Sequence, residues 1–342
     1  MNKYLKLFLK HIDIELGYSE NTLSTYSLIL NGFLSFLDLK NISLKKLNKE
    51  HIEGYVVHIK IKKGNTAKTI RLKIEVIKSF MKYLTEKIRF YKRPPISSSD
   101  FKYKVEKKDA FSISEEEIDR LLDSINKKKK EIEKELHQTS GKRILLLKQL
   151  FASKRDLVLT KLLVGTGLRI SEALNIKLQD IDFNDKSIKI LGKGKRFRQI
   201  FFNLDELEYD FLKYIDNWKE LNTNHDYIFV SIKKYNKLTT RGFQLILKDF
   251  LIKSKLSTAI TPHTLRHTYA TISIEKGANI KAVSQILGHS SCKITIDLYT
   301  HLSNSHLREV MQKCSPISKK VISLEERIEG RKKHLAYLDR TG

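Results

Sequence analysis

The sequence predicts a mainly α-helical fold with one small antiparallel β-sheet, divided between two domains. Three observations carry that prediction. Apolar residues recur at helical spacing through most of the chain, beginning with Leu5, Phe8, Leu9 and Ile12. That period gives way to short alternating runs between Ile181 and Phe202. A segment rich in proline, serine and charge, residues 93–109, separates two stretches that are each long enough to build a core.

The first stretch, residues 1–92, reads as an all-helical domain of roughly four helices, with Leu28, Phe33, Phe36 and Leu37 extending the apolar face. Ser19 stands before ENTLSTYSLILNGFLSFL, and Asn65 before a helix predicted to end near Tyr83. Both are good N-caps, because a short polar side chain accepts a hydrogen bond from an otherwise unpaired first-turn N–H. Lys68, Arg71, Lys78 and Lys82 on the last of these helices suit phosphate contact, although a solvated basic face explains them equally well.

The linker RPPISSSDFKYKVEKKD disfavours both helix and packed core, and the second domain is placed at residues 110–315. Ser114 with Glu117 forms a capping-box signature ahead of Ile118, Leu121 and Leu122. The polar run at 126–143 reads as a long exposed helix or an ordered insertion. RDLVLTKLLVGTGLRISEALNIKLQDI predicts a helix ending near Gly165, a turn, and a second helix carrying Ile170, Ala173, Leu174 and Leu178. IDFNDKSIKILGKGKRFRQIFF, broken at Asn184 and Asp185 and again at Gly192 to Lys195, predicts three short antiparallel strands. Helices are expected again from Asp205 to about Met311, including TPHTLRHTYATISIEKG with its first-turn proline. Residues 316–342 form either a frayed tail or one further helix.

Charge narrows the partner class. Among 342 residues, 65 Lys+Arg oppose 39 Asp+Glu, and the formal net charge of +26 is spread along the chain. Such a balance suits a polyanion, since basic side chains displace counterions condensed on nucleic acid. Lys-, Asn- and Ile-rich usage also follows from an AT-rich genome, so charge alone does not decide. No apolar run approaches the roughly 18 to 20 residues that cross a bilayer, and charges interrupt the first residues every few positions. The expectation is a cytoplasmic protein without membrane insertion. Two cysteines, Cys292 and Cys314, are too few for a disulfide framework or a cysteine-based zinc site.

Six polar residues of the second domain stand in an order that makes chemical sense: Arg169, Lys193, His263, Arg266, His289 and Tyr299. Each alone is unremarkable in a basic protein. Arg169 in GTGLRISE would project a guanidinium from a helix start, in a geometry suited to a bidentate phosphate contact. His263 and Arg266 lie one helical turn apart, where both can meet one anion. His263 and His267 have the spacing of helical zinc ligands, but HExxH is absent and Arg266 puts a cation beside that place. Lys193 lies in the glycine-rich turn GKGK, which is not a Walker motif, so ATP is not indicated. Tyr299 taken alone is a packing tyrosine; with a phenol pKa of about 10 it needs cationic surroundings to act as a nucleophile at neutral pH.

TGLRISE, LGKGK, HTLRHTYAT, LGHSS and YTHL, in this order and at these spacings, resemble the tyrosine recombinase and integrase family, its bacterial Xer group above all. The resemblance covers nearly the whole chain. It implies a helical core-binding domain followed by an α+β catalytic domain. Arg169, His263 and Arg266 would bind and activate the scissile phosphate, and Glu172 would support the site from the helix of Arg169. Lys193 would protonate the leaving 5' oxygen, His263 or a neighbour would take the proton of Tyr299, and His289 would hydrogen-bond or orient the phosphate. The implied product is a 3'-phosphotyrosyl intermediate, which preserves the phosphodiester energy and needs neither ATP nor metal, so no cofactor is expected. The implied partner is double-stranded DNA carrying an inverted-repeat recombination site, held as two duplexes by a homotetramer that proceeds through a Holliday junction. Segment SNSHLREVM would be donated to the neighbouring protomer, and an accessory DNA translocase is left open.

Two features depart from the family pattern. Tyr299 follows His289 by ten positions, one more than is usual, with Leu298 in the usual place. Residues 126–150 and the tail after Pro316 exceed a compact Xer protein. Chromosome dimer resolution is the expected role, with integration of a phage or mobile element as the alternative using the same chemistry. A type IB topoisomerase and a DNA-binding protein without catalysis are the more distant readings; joint survival of the six polar groups disfavours the latter.

Overall fold

A computed structural model describes residues 2–97, 99–101, 103, 111–138, 141–192, 197–202, 205–219, 226–233 and 235–288. The chain divides into two units, Met1–Lys108 and Asp109–Gly342.

In the first unit four helices, α1 (Asn2–Ile14), α2 (Glu20–Leu39), α3 (Lys49–Ile61) and α4 (Ala67–Glu86), close around an apolar core. Their inward stripes follow the helical period: Leu5, Phe8 and Ile12 on α1, and Ile70, Ile74, Ile77, Phe80 and Leu84 on α4, are all buried. The Phe8 ring lies 5.3 Å from both Phe80 and Tyr83. Ser19 caps α2 as expected, accepting from the Thr22 N–H. The cap of α4 is Thr66, not Asn65, whose amide instead donates to the Ile59 carbonyl at 2.9 Å and closes the end of α3. The helix also runs past Tyr83, because Leu84 is fully buried and another turn is needed to seat it. Of the basic residues of α4 expected to suit phosphate, Lys78 pairs with Glu75 at 3.3 Å and Lys82 with Glu86 at 3.9 Å, while Lys68 and Arg71 are exposed.

In the second unit Ser114 and Glu117 make the expected reciprocal cap of α5 (Glu115–Gln138). The polar run continues α5 as far as Gln138, where Ile132 extends the buried stripe of Ile118, Leu121 and Ile125 that packs α5 on α6 (Arg143–Thr166). Helix α6 reaches Thr166, one residue past the expected end, and stops where Gly167 turns left-handed at φ 63°. Arg155 and Asp156, both buried on α6, form an ion pair at 2.6 Å, and the remaining Arg155 nitrogen donates to the Val230 carbonyl at 2.7 Å.

The helix expected over Ile170 to Leu178 is a single turn, α7 (Ile170–Ala173), followed by a 3-10 turn at Leu178–Asp180. Residues 176–178 are drawn out of helix because the Ile228 N–H binds the Ile176 carbonyl and the Leu178 N–H binds the Asp226 carbonyl. Three antiparallel strands follow, β1 (Ile181–Asp182), β2 (Ser187–Leu191) and β3 (Phe197–Phe201), in sequential order. Ile188 faces both Ile181 and Ile200, and Ile190 faces Arg198. Alternation therefore sends Ile188, Ile190 and Ile200 into the core and places Arg198 on that same inner face. Four helices complete the described part: α8 (Asp205–Lys219), α9 (Thr240–Lys253), α10 (Pro262–Glu275) and α11 (Ile280–Leu287). Helix α10 lies along α6, and α11 touches α10 and β3. This brings the C-terminal ends of α6 and α11 to one place. No described helix is long and apolar enough to cross a membrane.

Candidate active site

Glu172 is the hub. Its carboxylate accepts the Arg169 backbone N–H at 3.0 Å and the Arg169 Nη1 at 2.9 Å. It also accepts a fork from Arg198, Nη1 on Oε1 at 3.1 Å and Nη2 on Oε2 at 2.7 Å. Burial alone would push this carboxyl up, but the Arg198 hydrogen bonds, the Arg169 N–H and the two guanidinium charges together hold it below the ordinary carboxylate value. Glu172 is therefore ionised at neutral pH.

The guanidiniums also close on the carbonyl end of α11. Arg198 Nε donates to the Ile286 carbonyl at 2.7 Å, and Arg266 Nη2 to the Leu287 carbonyl at 2.6 Å. Arg169 reaches the Leu287 and Gly288 carbonyls at 3.3 and 3.5 Å. Arg266 Nη1 donates to the Gly167 carbonyl at 2.8 Å, tying the two helix ends together. A helix C-terminus offers unpaired carbonyls and a partial negative charge, so cations are stabilised there. Three guanidiniums nevertheless face one carboxylate, leaving a cationic cluster suited to an anion. Arg266 is only 3% exposed, and burial first, then Arg169 and Arg198, bring its pKa down to about 9. Arg169 remains 37% exposed in its side chain, so it is the arginine of the cluster with a free side toward solvent.

His263 lies at the start of α10, where Thr261 caps and Pro262 occupies the first turn. Its exposed ring meets His267, Nε2 to Nε2 at 3.1 Å with ring centroids 4.3 Å apart. In such a pair one nitrogen donates and the other accepts, which keeps the rings in complementary tautomers. Burial first, then the neighbouring His263 and the Arg266 charge, lowers the His267 pKa to about 4, so this ring is neutral at pH 7. A histidine depressed below its unfolded value contributes stability that is fully present above about pH 6.5 and is lost as pH falls toward 4. Urea midpoints should thus fall between pH 7 and pH 4.5 by an amount equivalent to roughly 1–2 kcal/mol, after allowance for solvent screening at this half-buried ring. His267→Gln should flatten that part of the profile; an unchanged profile would show that His267 does not carry it.

The structure thus assembles Arg169, Glu172 and Arg266, and sets His263 on the helix of Arg266. Lys193, His289 and Tyr299 lie outside the described residues, as do the segment SNSHLREVM and the tail. The residue that sequence reasoning missed is Arg198. Its signal was an arginine two positions before Ile200, on the face of β3 that alternation sends inward.

Residues 111–306 match the phage integrase family, and residues 5–87 match the phage integrase N-terminal SAM-like domain. The chain belongs to the phage integrase family. Within it this recombinase is 31% identical over 321 residues to tyrosine recombinase XerC of Staphylococcus carnosus, covering 94% of this chain and 99% of that protein. The XerC of Leptospira interrogans is 28% identical over 320 residues, at 94% and 95% coverage. Among solved structures, the XerH site-specific recombinase bound to its palindromic difH substrate aligns with TM-score 0.65 and 21% identity, over 90% of this chain and 83% of that one. The Tn1549 transposon integrase bound to transposon right end DNA aligns with TM-score 0.63 and 20% identity, over 91% and 98%. This family member is an Xer-like tyrosine recombinase, an enzyme that cleaves and rejoins DNA. Its mainly helical architecture with a three-stranded antiparallel sheet is the family's fold.

Proposed function

We propose that this recombinase acts on double-stranded DNA carrying an inverted-repeat site, with Tyr299 as nucleophile. The observation that supports this reading is the guanidinium cluster in which Arg169 binds Glu172 and both Arg169 and Arg266 reach the carbonyl end of α11. Preorganised cations of this kind stabilise charge on phosphoryl oxygens as the transition state develops.

In this reading Arg169 and Arg266 bind the non-bridging oxygens of the scissile phosphate. His263 accepts the phenolic proton as the Tyr299 oxygen attacks phosphorus, and Lys193 gives a proton to the departing 5' oxygen. His289 hydrogen-bonds the phosphate. The P–O5' bond breaks as the P–O bond to tyrosine forms, so the 3'-phosphotyrosyl ester keeps the energy of the phosphodiester. A 5' hydroxyl of the partner strand then attacks phosphorus and releases Tyr299, without ATP. Four protomers on two duplexes perform this twice, through a Holliday junction, and resolution of chromosome dimers is the role that fits an Xer-like enzyme.

The test is to map the covalent link. Full-length protein is first allowed to select its site from a random library of inverted repeats. It is then incubated with nicked duplexes of that site, denatured and digested, and the nucleotide-bearing peptide is sequenced by mass spectrometry. The expected result is a 3'-phosphate on Tyr299. A link at another residue, or to a 5' end, would overturn the assignment.

A further inference from the structure

Arg198 takes no part in the proposed chemistry, yet its guanidinium hydrogen-bonds Glu172 and the end of α11, both of which also hold Arg169. Its side chain is 13% exposed, and all three nitrogens are engaged: Nη1 and Nη2 on the two oxygens of Glu172, and Nε on the Ile286 carbonyl. We propose that Arg198 is a positioning residue of the recombination reaction, holding Glu172, and through it the Arg169 guanidinium, against the carbonyl end of α11. The inference rests on the reading that Arg169 contacts the scissile phosphate.

Charge and geometry both point this way. Arg169 shares one side-chain hydrogen bond with Glu172 and is over one-third exposed, so its orientation depends on where Glu172 is held. With Arg198 present, the trio Arg169, Arg198 and Glu172 carries a net positive charge and both carboxylate oxygens are already engaged by the fork. Without Arg198, Glu172 is free to take Arg169 as a bidentate partner and neutralise it, drawing the guanidinium away from an incoming phosphate. Arg266 is held by the Gly167 and Leu287 carbonyls and not through Glu172, so loss of Arg198 acts first on Arg169. Residue 288 fits the same plan. Gly288 sits at φ 63°, and a Cβ there would stand 2.9 Å from Arg198 Nη1, so any side chain at this position would push the guanidinium aside. A lysine cannot replace this arrangement, because one ammonium cannot fork both carboxylate oxygens and reach the helix end together.

The experiment uses full-length protein on the selected, nicked site duplex and measures site affinity and the single-turnover rate of covalent complex formation. Arg198→Ala should bind the site within about threefold of wild type but cleave about 30- to 100-fold more slowly, the scale of a misplaced group that does not itself react. Arg198→Lys should recover only a small part of that loss. The deciding comparison uses a duplex whose scissile phosphate is a methylphosphonate, which lacks the charged oxygen that Arg169 would neutralise. On it the defects of Arg169→Ala and Arg198→Ala should shrink together, each to about tenfold or less. Wild-type cleavage by Arg198→Ala would overturn the proposal. So would an Arg198→Ala defect that persists on methylphosphonate while that of Arg169→Ala shrinks, since a merely structural role predicts that outcome. If the Arg169→Ala defect fails to shrink, the phosphate contact of Arg169 falls and the proposal with it, and that control identifies which reading failed. Should Arg198→Ala not fold, Arg198→Lys decides by the same comparison.

Discussion

Arg266→Met is expected to cut the single-turnover cleavage rate by about a thousandfold, equivalent to about 4 kcal/mol of transition-state stabilisation, while changing folding stability by less than about 2 kcal/mol. The asymmetry follows from how the guanidinium is held. It is 3% exposed, its two hydrogen bonds go to backbone carbonyls of Gly167 and Leu287, and its pKa is lowered to about 9 by burial and by the like charges of Arg169 and Arg198. A cation whose folded pKa lies below its unfolded value costs stability wherever it is charged in both states, and recovers it only as pH rises through the folded value. At neutral pH the folded protein therefore bears the cost of a buried charge. Methionine removes that cost and fills the space, at the expense of leaving the Gly167 carbonyl short of a partner, so the two effects offset. In the proposed mechanism cleavage has no such offset, because there the cation meets the phosphate in the transition state. Thermal unfolding and rapid-quench cleavage of the same variant provide the check. A large fall in Tm would make Arg266 structural, and an unchanged rate would remove it from the site.

Much of this was legible beforehand, for reasons that differ between residues. Helices α1 to α4 follow from stripes such as Leu5, Phe8 and Ile12, since each apolar position has to point into one core. The strands were legible because Ile188, Ile190 and Ile200 alternate with polar residues and turn signals interrupt them. Glu172 and Arg169 were named from their motif, and local geometry suffices to join them because they share one helical turn. What could not be read is what depends on distant pairing. The short α7 results from backbone bonds to residues 226 and 228, which no local pattern foretells. Arg198 lies 26 positions from Glu172, and only the register of β2 against β3, together with the seating of α11, brings it there. Arg266 was named as a phosphate ligand from the family resemblance of HTLRHTYAT, whereas its depth and its carbonyl partners come from α10 lying along α6.

Gly167→Ala should destabilise the C-terminal unit by about 3 kcal/mol and slow cleavage at least thirtyfold, because one methyl group strikes both the turn and the site. The φ of 63° costs a non-glycine residue about 1 kcal/mol on its own. The new Cβ would also stand 2.5 Å from Tyr269 Cδ1 and 2.6 Å from Leu287 Cδ2, separations that real side chains do not tolerate. Leu287 is fully buried, so its side chain has little room to turn aside and the strain is passed to the end of α11. That end supplies the carbonyls of Ile286 and Leu287 that anchor Arg198 and Arg266, and the Gly167 carbonyl itself is the other anchor of Arg266. Displacing the turn therefore displaces the guanidiniums, so the loss of rate should exceed what the loss of folded protein explains. Gly54→Ala provides the contrast. It lies exposed within α3 with nothing within 4 Å of a new Cβ, and there the same chemical change should stabilise its helix by about 0.5–1 kcal/mol. Differential scanning calorimetry and single-turnover cleavage of the two variants measure both effects. A Gly167→Ala protein as stable and as active as wild type would show that the left-handed turn does not set the place of Arg266.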